Sequence, residues 1–123
     1  MLLHRRGVRE PEDARRFLSP KLGDLHDPFA LPDMEKAVER IDRAVRSKER
    51  IAIFADYDVD GISSTCLLHD FFRSIDCPVA YRLPDRLSEG YGIRSAAVRE
   101  LAASGVTLII TVDNGSTAVR EIE

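Results

Sequence analysis

The chain has 123 residues, of which 44% are hydrophobic and 32% charged, with a formal net charge of −3. That length builds one small domain with a core of its own, and that composition excludes a disordered chain. No apolar run reaches the roughly 20 residues of a membrane helix, and Met1-Leu2-Leu3-His4-Arg5-Arg6 carries no apolar signal region, so a cytoplasmic protein with no membrane partner is expected.

The charge is uneven. Residues 1–50 hold 12 basic and 10 acidic side chains, and residues 51–123 hold 6 and 11. A nucleic-acid binder usually shows a basic footprint, and none exists here overall. If the partner is nucleic acid, metal ions or other parts of the protein must supply positive charge. Cys66 and Cys77 match no zinc spacing and are expected to stay reduced as small apolar residues.

In chain order, Glu10 to Leu18 predicts a short helix with Pro11 in its first turn, stopped before Ser19-Pro20. Residues 19–32 contain Pro20, Gly23, Pro28 and Pro32 and predict an irregular arm. Asp33 is placed to cap the next helix, where Met34, Ala37, Val38, Ile41, Ala44 and Val45 recur at helical spacing to about Ser47. From Arg50 the pattern changes. Ile51–Ala55 predicts a buried strand, and Ile62–Ser74 a helix with Leu67, Leu68, Phe71 and Phe72 inward. Val79–Leu83 predicts a second strand, and Ser95–Ser104 a second helix closed by Gly105. Leu108–Val112 predicts a third strand, and Ser116–Glu123 the start of a further helix. This alternation predicts an α/β fold: a parallel sheet with crossover helices over residues 50–123, preceded by a helical arm over 1–49.

Ligands of such sheets bind at the carboxyl ends of the strands. Asp56-Tyr57-Asp58-Val59-Asp60-Gly61 follows the first strand there, and Asp113-Asn114-Gly115 follows the third. Clustered carboxylates repel and are tolerated when solvated or neutralised by cations, and hard divalent ions prefer oxygen ligands. Mn²⁺ or Mg²⁺ is therefore the expected cofactor. An EF-hand also begins D-x-D-x-D-G, but its twelfth position would be Leu67 and an apolar strand stands where its first helix should be. A haloacid-dehalogenase-type phosphatase would use Asp56 as nucleophile and Asp58 as general acid, with Thr111 ending a later strand. That scheme leaves Asp60-Gly61 and Asp113-Asn114-Gly115 without a role. Asn114-Gly115 by itself is also an ordinary turn signal.

Ile53-Phe54-Ala55-Asp56-Tyr57-Asp58-Val59-Asp60-Gly61 resembles the first motif of the DHH phosphoesterase superfamily, and Thr111-Val112-Asp113-Asn114-Gly115 its second. Leu83-Pro84-Asp85-Arg86 and Glu89-Gly90-Tyr91-Gly92 resemble the RecJ branch of single-strand-specific exonucleases. So do Arg6-Gly7-Val8, Phe17-Leu18-Ser19-Pro20, Leu25-His26-Asp27-Pro28-Phe29 and Leu31-Pro32-Asp33-Met34. The resemblance implies a Rossmann-like DHH domain, incomplete here, because the Asp-His-His motif would follow the second motif beyond residue 123. The expectation is an N-terminal portion of a longer enzyme, inactive by itself and marginally stable, with apolar surface at Leu108, Ile109 and Ile110 left partly open.

The resemblance further implies two-metal hydrolysis of single-stranded DNA, 5′ to 3′, in DNA repair and recombination, by a monomer that can meet repair or replication proteins. By motif position Asp58, Asp60 and Asp113 are the catalytic metal ligands. Asp56 is either a further ligand or an orienting group. Arg86 and Tyr91 are candidates for substrate binding, one neutralising phosphate and one stacking a base. Gly61, Asn114 and Gly115 shape the loops. Arg82, Arg94 and Arg99 are expected at the solvated surface, and His69 as a packed helix residue. Other DHH branches, which cleave short oligoribonucleotides, 3′-phosphoadenosine phosphate or cyclic dinucleotides, and non-catalytic scaffolds remain alternatives.

Overall fold

The computed structural model describes residues 2–122. The chain divides into two compact units, Met1–Val38 and Glu39–Glu123.

The first unit contains helices α1 (Leu2–Arg5) and α2 (Pro11–Leu18), then two short 3₁₀ turns at Leu22–Asp24 and Pro28–Ala30. Pro11 starts α2, with Glu12 and Asp13 in its first turn, where acids suit the free N–H groups. The 3₁₀ turns break the irregular stretch expected over 19–32. Local carboxylates explain them: Asp24 accepts from Lys21 N at 2.9 Å and Asp27 from Phe29 N at 2.9 Å. Among the described residues of this unit none is buried.

Helix α3 (Met34–Arg46) runs across the division between the units. Asp33 does not take the extended geometry of a cap. Its φ is +58°, and its carboxylate accepts from Lys36 Nζ at 2.6 Å.

The second unit is a parallel three-stranded sheet, β1 (Ile51–Ala55), β2 (Ala80–Arg82) and β3 (Leu108–Val112), in the order β2-β1-β3. Ile53 pairs with Tyr81 on one side and Ile110 on the other. Side chains alternate along a strand, so β1 feeds two cores. Ile51 and Ile53 pack with Ala44, Phe72 and Cys77, joined by Ile41, Val45 and Leu68. Ala52 and Phe54 pack with Ile93, Ala97 and Leu101 on the other face. The fully buried Ile51, Ile53, Phe54 and Phe72 each contribute about 1.5–3 kcal/mol. All five residues of β3 stay half-buried, which bears out the open surface expected at Leu108, Ile109 and Ile110.

Helix α4 (Val59–Ser74) and helix α5 (Ser95–Ala103) cover opposite faces. Helix α5 ends at Gly105 (φ +87°), with Val106 N bonded to Leu101 O at 3.1 Å, as its C′ role requires. Helix α4 starts three residues before the expected Ile62. Its contact face is Gly61, Thr65 and Phe72, with Leu68 half-buried, whereas Leu67 and Phe71 point outward, against expectation. Helix α6 (Val119–Ile122) begins later than the expected Ser116, because Ser116 and Thr117 form a turn. Glu123 lies outside the described residues. Cys66 is exposed and Cys77 buried, and both are free.

Glu49 ties α3 to the sheet. It accepts two bonds from Arg40 (3.2 and 2.9 Å) and one from Thr107 Oγ1 at 2.8 Å. The Arg40 guanidinium, then the Thr107 hydroxyl, hold its carboxyl below the ordinary glutamate range. A depressed pKa gives stability that is present above the unfolded value and lost as pH falls through the folded one. Urea midpoints should therefore fall between pH 5 and pH 3, about the range where glutamate titrates, by more in the wild type than in Glu49→Gln. Equal falls would show that Glu49 contributes no pH dependence.

Candidate metal centre

The chain leaves β1 for β2 on one side and reaches β3 on the other, which makes the carboxyl end of β1 a switch point of the sheet. Asp56 and Asp58 follow β1 directly, and Asp113 follows β3.

Asp58 is the N-cap of α4 and accepts from Gly61 N at 3.0 Å. The Gly61 N–H holds its carboxyl below the ordinary aspartate range. Asp113 moves the other way: lost hydration first, then the neighbouring Asp58 carboxyl and the charges of Asp60 and Asp56, raise it. Neighbouring carboxyls of like charge shift one another in this way. Asp113 also has φ +60°, a left-handed conformation that Asp tolerates better than most residues.

Asp60 is exposed in the first turn of α4. Asp56 is only 4% exposed, and its Oδ1 accepts from Gly92 N at 2.8 Å. The phosphatase scheme, with Asp56 as nucleophile, gives the bond from Gly92 no role. The EF-hand scheme fails too, because Asp60 and Gly61 are helical.

Gly61 lies against the end of β1, where a Cβ would stand 2.2 Å from Asp56 O. At Gly115 (φ +95°) a Cβ would meet Thr111 Oγ1 at 2.7 Å. Both glycines therefore allow a close approach that a side chain would block. Asn114, between Asp113 and Gly115, has both side-chain amide atoms buried with no hydrogen-bond partner among the described residues. Such an orphan is costly unless another group completes it. An open cleft of about 940 Å³ adjoins it, lined by Tyr91, Thr111, Asp113, Asn114 and Thr117 among others.

Arg86 and Tyr91 both reach the site by way of Tyr57, which sequence reasoning passed over. The Arg86 guanidinium stands 5.4 Å from the Tyr57 ring centroid. The Tyr91 ring centroid is 4.5 Å from that of Tyr57, and its hydroxyl is 3.5 Å from Asp58 Oδ2. Partial desolvation, then the Asp58 charge, raises the Tyr91 phenol. The signal for Tyr57 was an aromatic between two motif aspartates. The Gly92 N–H gave no signal, since every residue but proline carries one. Arg82 departs from the solvated role expected. It bonds Glu89 Oε1 at 2.6 Å, lies 3.5 Å from Glu100, and donates to Leu83 O. His69 is half-buried, edge-on to Tyr81.

Among the described residues no three His, Cys, Asp or Glu side chains converge as a ready cation cage. Asp58 and Asp113, just past the ends of adjacent strands, fit part of a hard-cation site: oxygen donors, like charges in need of neutralisation, and the orphaned Asn114 amide next to Asp113.

Residues 50–123 match the DHH family, N-terminal domain. The single-stranded-DNA-specific exonuclease RecJ of Bacillus subtilis (strain 168) is 42% identical over 120 residues, covering 98% of this chain and 15% of that protein. The RecJ of Escherichia coli (strain K12) is 37% identical over 120 residues, covering 96% of this chain and 20% of that protein. A crystal structure of exonuclease RecJ bound to manganese matches with a TM-score of 0.69 at 33% identity, over 75% of this chain and 24% of that one. RecJ from Thermus thermophilus, in complex with Mn²⁺, matches with a TM-score of 0.67 at 26% identity, over 98% of this chain and 16% of that one. The chain thus spans 15–20% of the length of these two curated relatives. A shared parallel fold, both acidic motifs at one sheet edge and the match over residues 50–123 together mean that the chain belongs to the DHH family, with RecJ exonucleases among its relatives.

Proposed function

We propose that this chain is the part of a RecJ-type exonuclease that contributes the first carboxylates of a divalent-cation site acting on single-stranded DNA. The observation that carries this is the placement of Asp58 and Asp113 just past the carboxyl ends of the adjacent parallel strands β1 and β3. Asp58 and Asp113 hold the cation, and Asp60, exposed in the first turn of α4, is the third candidate ligand. Bound Mn²⁺ or Mg²⁺ supplies Lewis-acid chemistry and charge neutralisation for phosphodiester hydrolysis, with two ions in the complete site. Arg86 neutralises a backbone phosphate, and the Tyr91 ring stacks a base. Asn114 and Gly115 shape the Asp113 turn. The same reading gives 5′ to 3′ digestion in cytoplasmic DNA repair and recombination.

The relatives supply the substrate class, being single-stranded-DNA-specific exonucleases. The solved neighbours supply the metal, being bound to manganese.

Mn²⁺ titration of the 123-residue chain, followed by paramagnetic broadening in NMR spectra, tests the site. Broadening should centre on the Asp58 and Asp113 amides. Asp58→Asn or Asp113→Asn should weaken it about tenfold or more, the loss expected when a charged group is removed. Uniform or absent broadening would overturn the assignment. The chain alone should release no nucleotides from labelled single-stranded DNA, since two converged carboxylates do not complete the site. Mn²⁺-dependent release would overturn that expectation.

A further inference from the structure

The segment between β2 and α5 is a small body with its own bonds. Asp85 Oδ1 accepts from Leu87 N at 3.0 Å and from Ser88 N at 2.9 Å, and Glu89 Oε2 accepts from Asp85 N at 2.6 Å. Pro84 and Ile93 are buried at its ends. Between them, four contacts hold it to the end of β1: the Tyr91 hydroxyl lies 3.5 Å from Asp58 Oδ2, and the other three fall on two consecutive residues. Gly92 N–H donates to Asp56 Oδ1 at 2.8 Å, the Tyr91 ring lies 4.5 Å from the Tyr57 ring, and the Arg86 guanidinium lies 5.4 Å from that ring.

We propose that Asp56 and Tyr57 are positioning residues that latch segment 83–94 onto the end of β1, presenting Arg86 and Tyr91 beside Asp58 and Asp113. This rests on the reading of those four residues given above. It assigns Asp56 a task other than direct cation binding. Asp56 is 4% exposed and its Oδ1 is committed to a backbone N–H. Tyr57 is half-buried, one ring serving two partners. An aromatic ring does this at low entropic cost, having few rotatable bonds to fix. Without the latch, Arg86 and Tyr91 would sample many positions, and a loosely held contact residue loses much of its value.

Amide exchange and ring shifts in the metal-free chain test the latch. In Tyr57→Leu the Gly92 amide should exchange about tenfold faster, as local opening no longer breaks a stacked contact. The Tyr91 ring resonances should lose their ring-current shift, while β1 and β3 amides keep their protection. Tyr57→Phe should restore both signals. An unchanged Gly92 amide and unchanged Tyr91 shifts in Tyr57→Leu would overturn the latch.

Asp56→Asn separates positioning from ligation, because an amide oxygen still accepts from Gly92 but binds a cation poorly. The Mn²⁺ midpoint at Asp58 and Asp113 should move less than about threefold, whereas loss of a charged ligand moves it about tenfold or more. The larger shift would make Asp56 a ligand and overturn its assignment. Should Mn²⁺ fail to broaden Asp58 and Asp113 even in the wild type, the cation reading fails, and the metal-free exchange still decides the latch.

Discussion

Gly61→Ala should destabilise the second unit by about 3 kcal/mol or more, the upper end of overpacking costs. Two effects oppose each other. Helix propensity favours alanine over glycine by about 1 kcal/mol. Against it, the new Cβ would stand 2.2 Å from Asp56 O, 2.8 Å from Asp56 C and 3.0 Å from Asp56 N. Those atoms are backbone at the end of the buried central strand, and no rotamer change relieves the clash. Either the start of α4 or the end of β1 must move, and both carry the acidic residues. Small domains are stable by about 5–15 kcal/mol, so the loss is a large share of the total. Urea denaturation followed by circular dichroism measures it, with Ser63→Ala on the exposed side of α4 as the control, expected within about 0.5 kcal/mol of wild type. A Gly61→Ala midpoint equal to the control would mean that the helix start slides at no cost.

Phe72→Ala should cost about 3–5 kcal/mol, the range for deleting a buried aromatic side chain. Phe72 is 1% exposed and packs with Ile51, Ile53, Ala44 and Cys77. Its neighbours in sequence should behave otherwise. Leu67 is 73% exposed, so Leu67→Ala should stay within about 0.5 kcal/mol of wild type. Phe71 is 54% exposed but meets the Phe72 ring edge-on at 5.4 Å, so Phe71→Ala should lose about 0.5–1.5 kcal/mol. Equal losses at all three positions would show that α4 is rotated relative to the arrangement described.

That contrast shows where periodicity stops being informative. Leu67, Leu68, Phe71 and Phe72 form an apolar stripe at helical spacing, and a stripe predicts an inward face. Helix α4 instead turns Gly61, Thr65 and Phe72 toward the sheet. Small residues let it approach β1 closely, and the Thr65 hydroxyl satisfies itself on Gly61 O at 2.8 Å. Hydrophobicity counts side-chain size as a gain, whereas close approach requires its absence. Asp and Gly are poor helix formers, so local propensity starts the helix at Ile62, yet the Asp58 cap places Asp60 and Gly61 inside its first turn.

The amino-acid sequence by itself determined the strands Ile51–Ala55 and Leu108–Val112, the alternation that makes the sheet parallel, and the two acidic motifs at strand ends. These are local signals: apolar runs of strand length, breakers between them, and carboxylates where burial ends. Only the tertiary structure decided the strand order β2-β1-β3, which sets Asp58 beside Asp113 and directs the Asp56 carboxylate to Gly92. It also decided that one Tyr57 ring serves both Arg86 and Tyr91. The order of strands depends on which helix covers which face of β1, and the contacts of Asp56 and Tyr57 join residues about 30 positions apart. Packing selects such pairs after the elements form, and no local pattern encodes them.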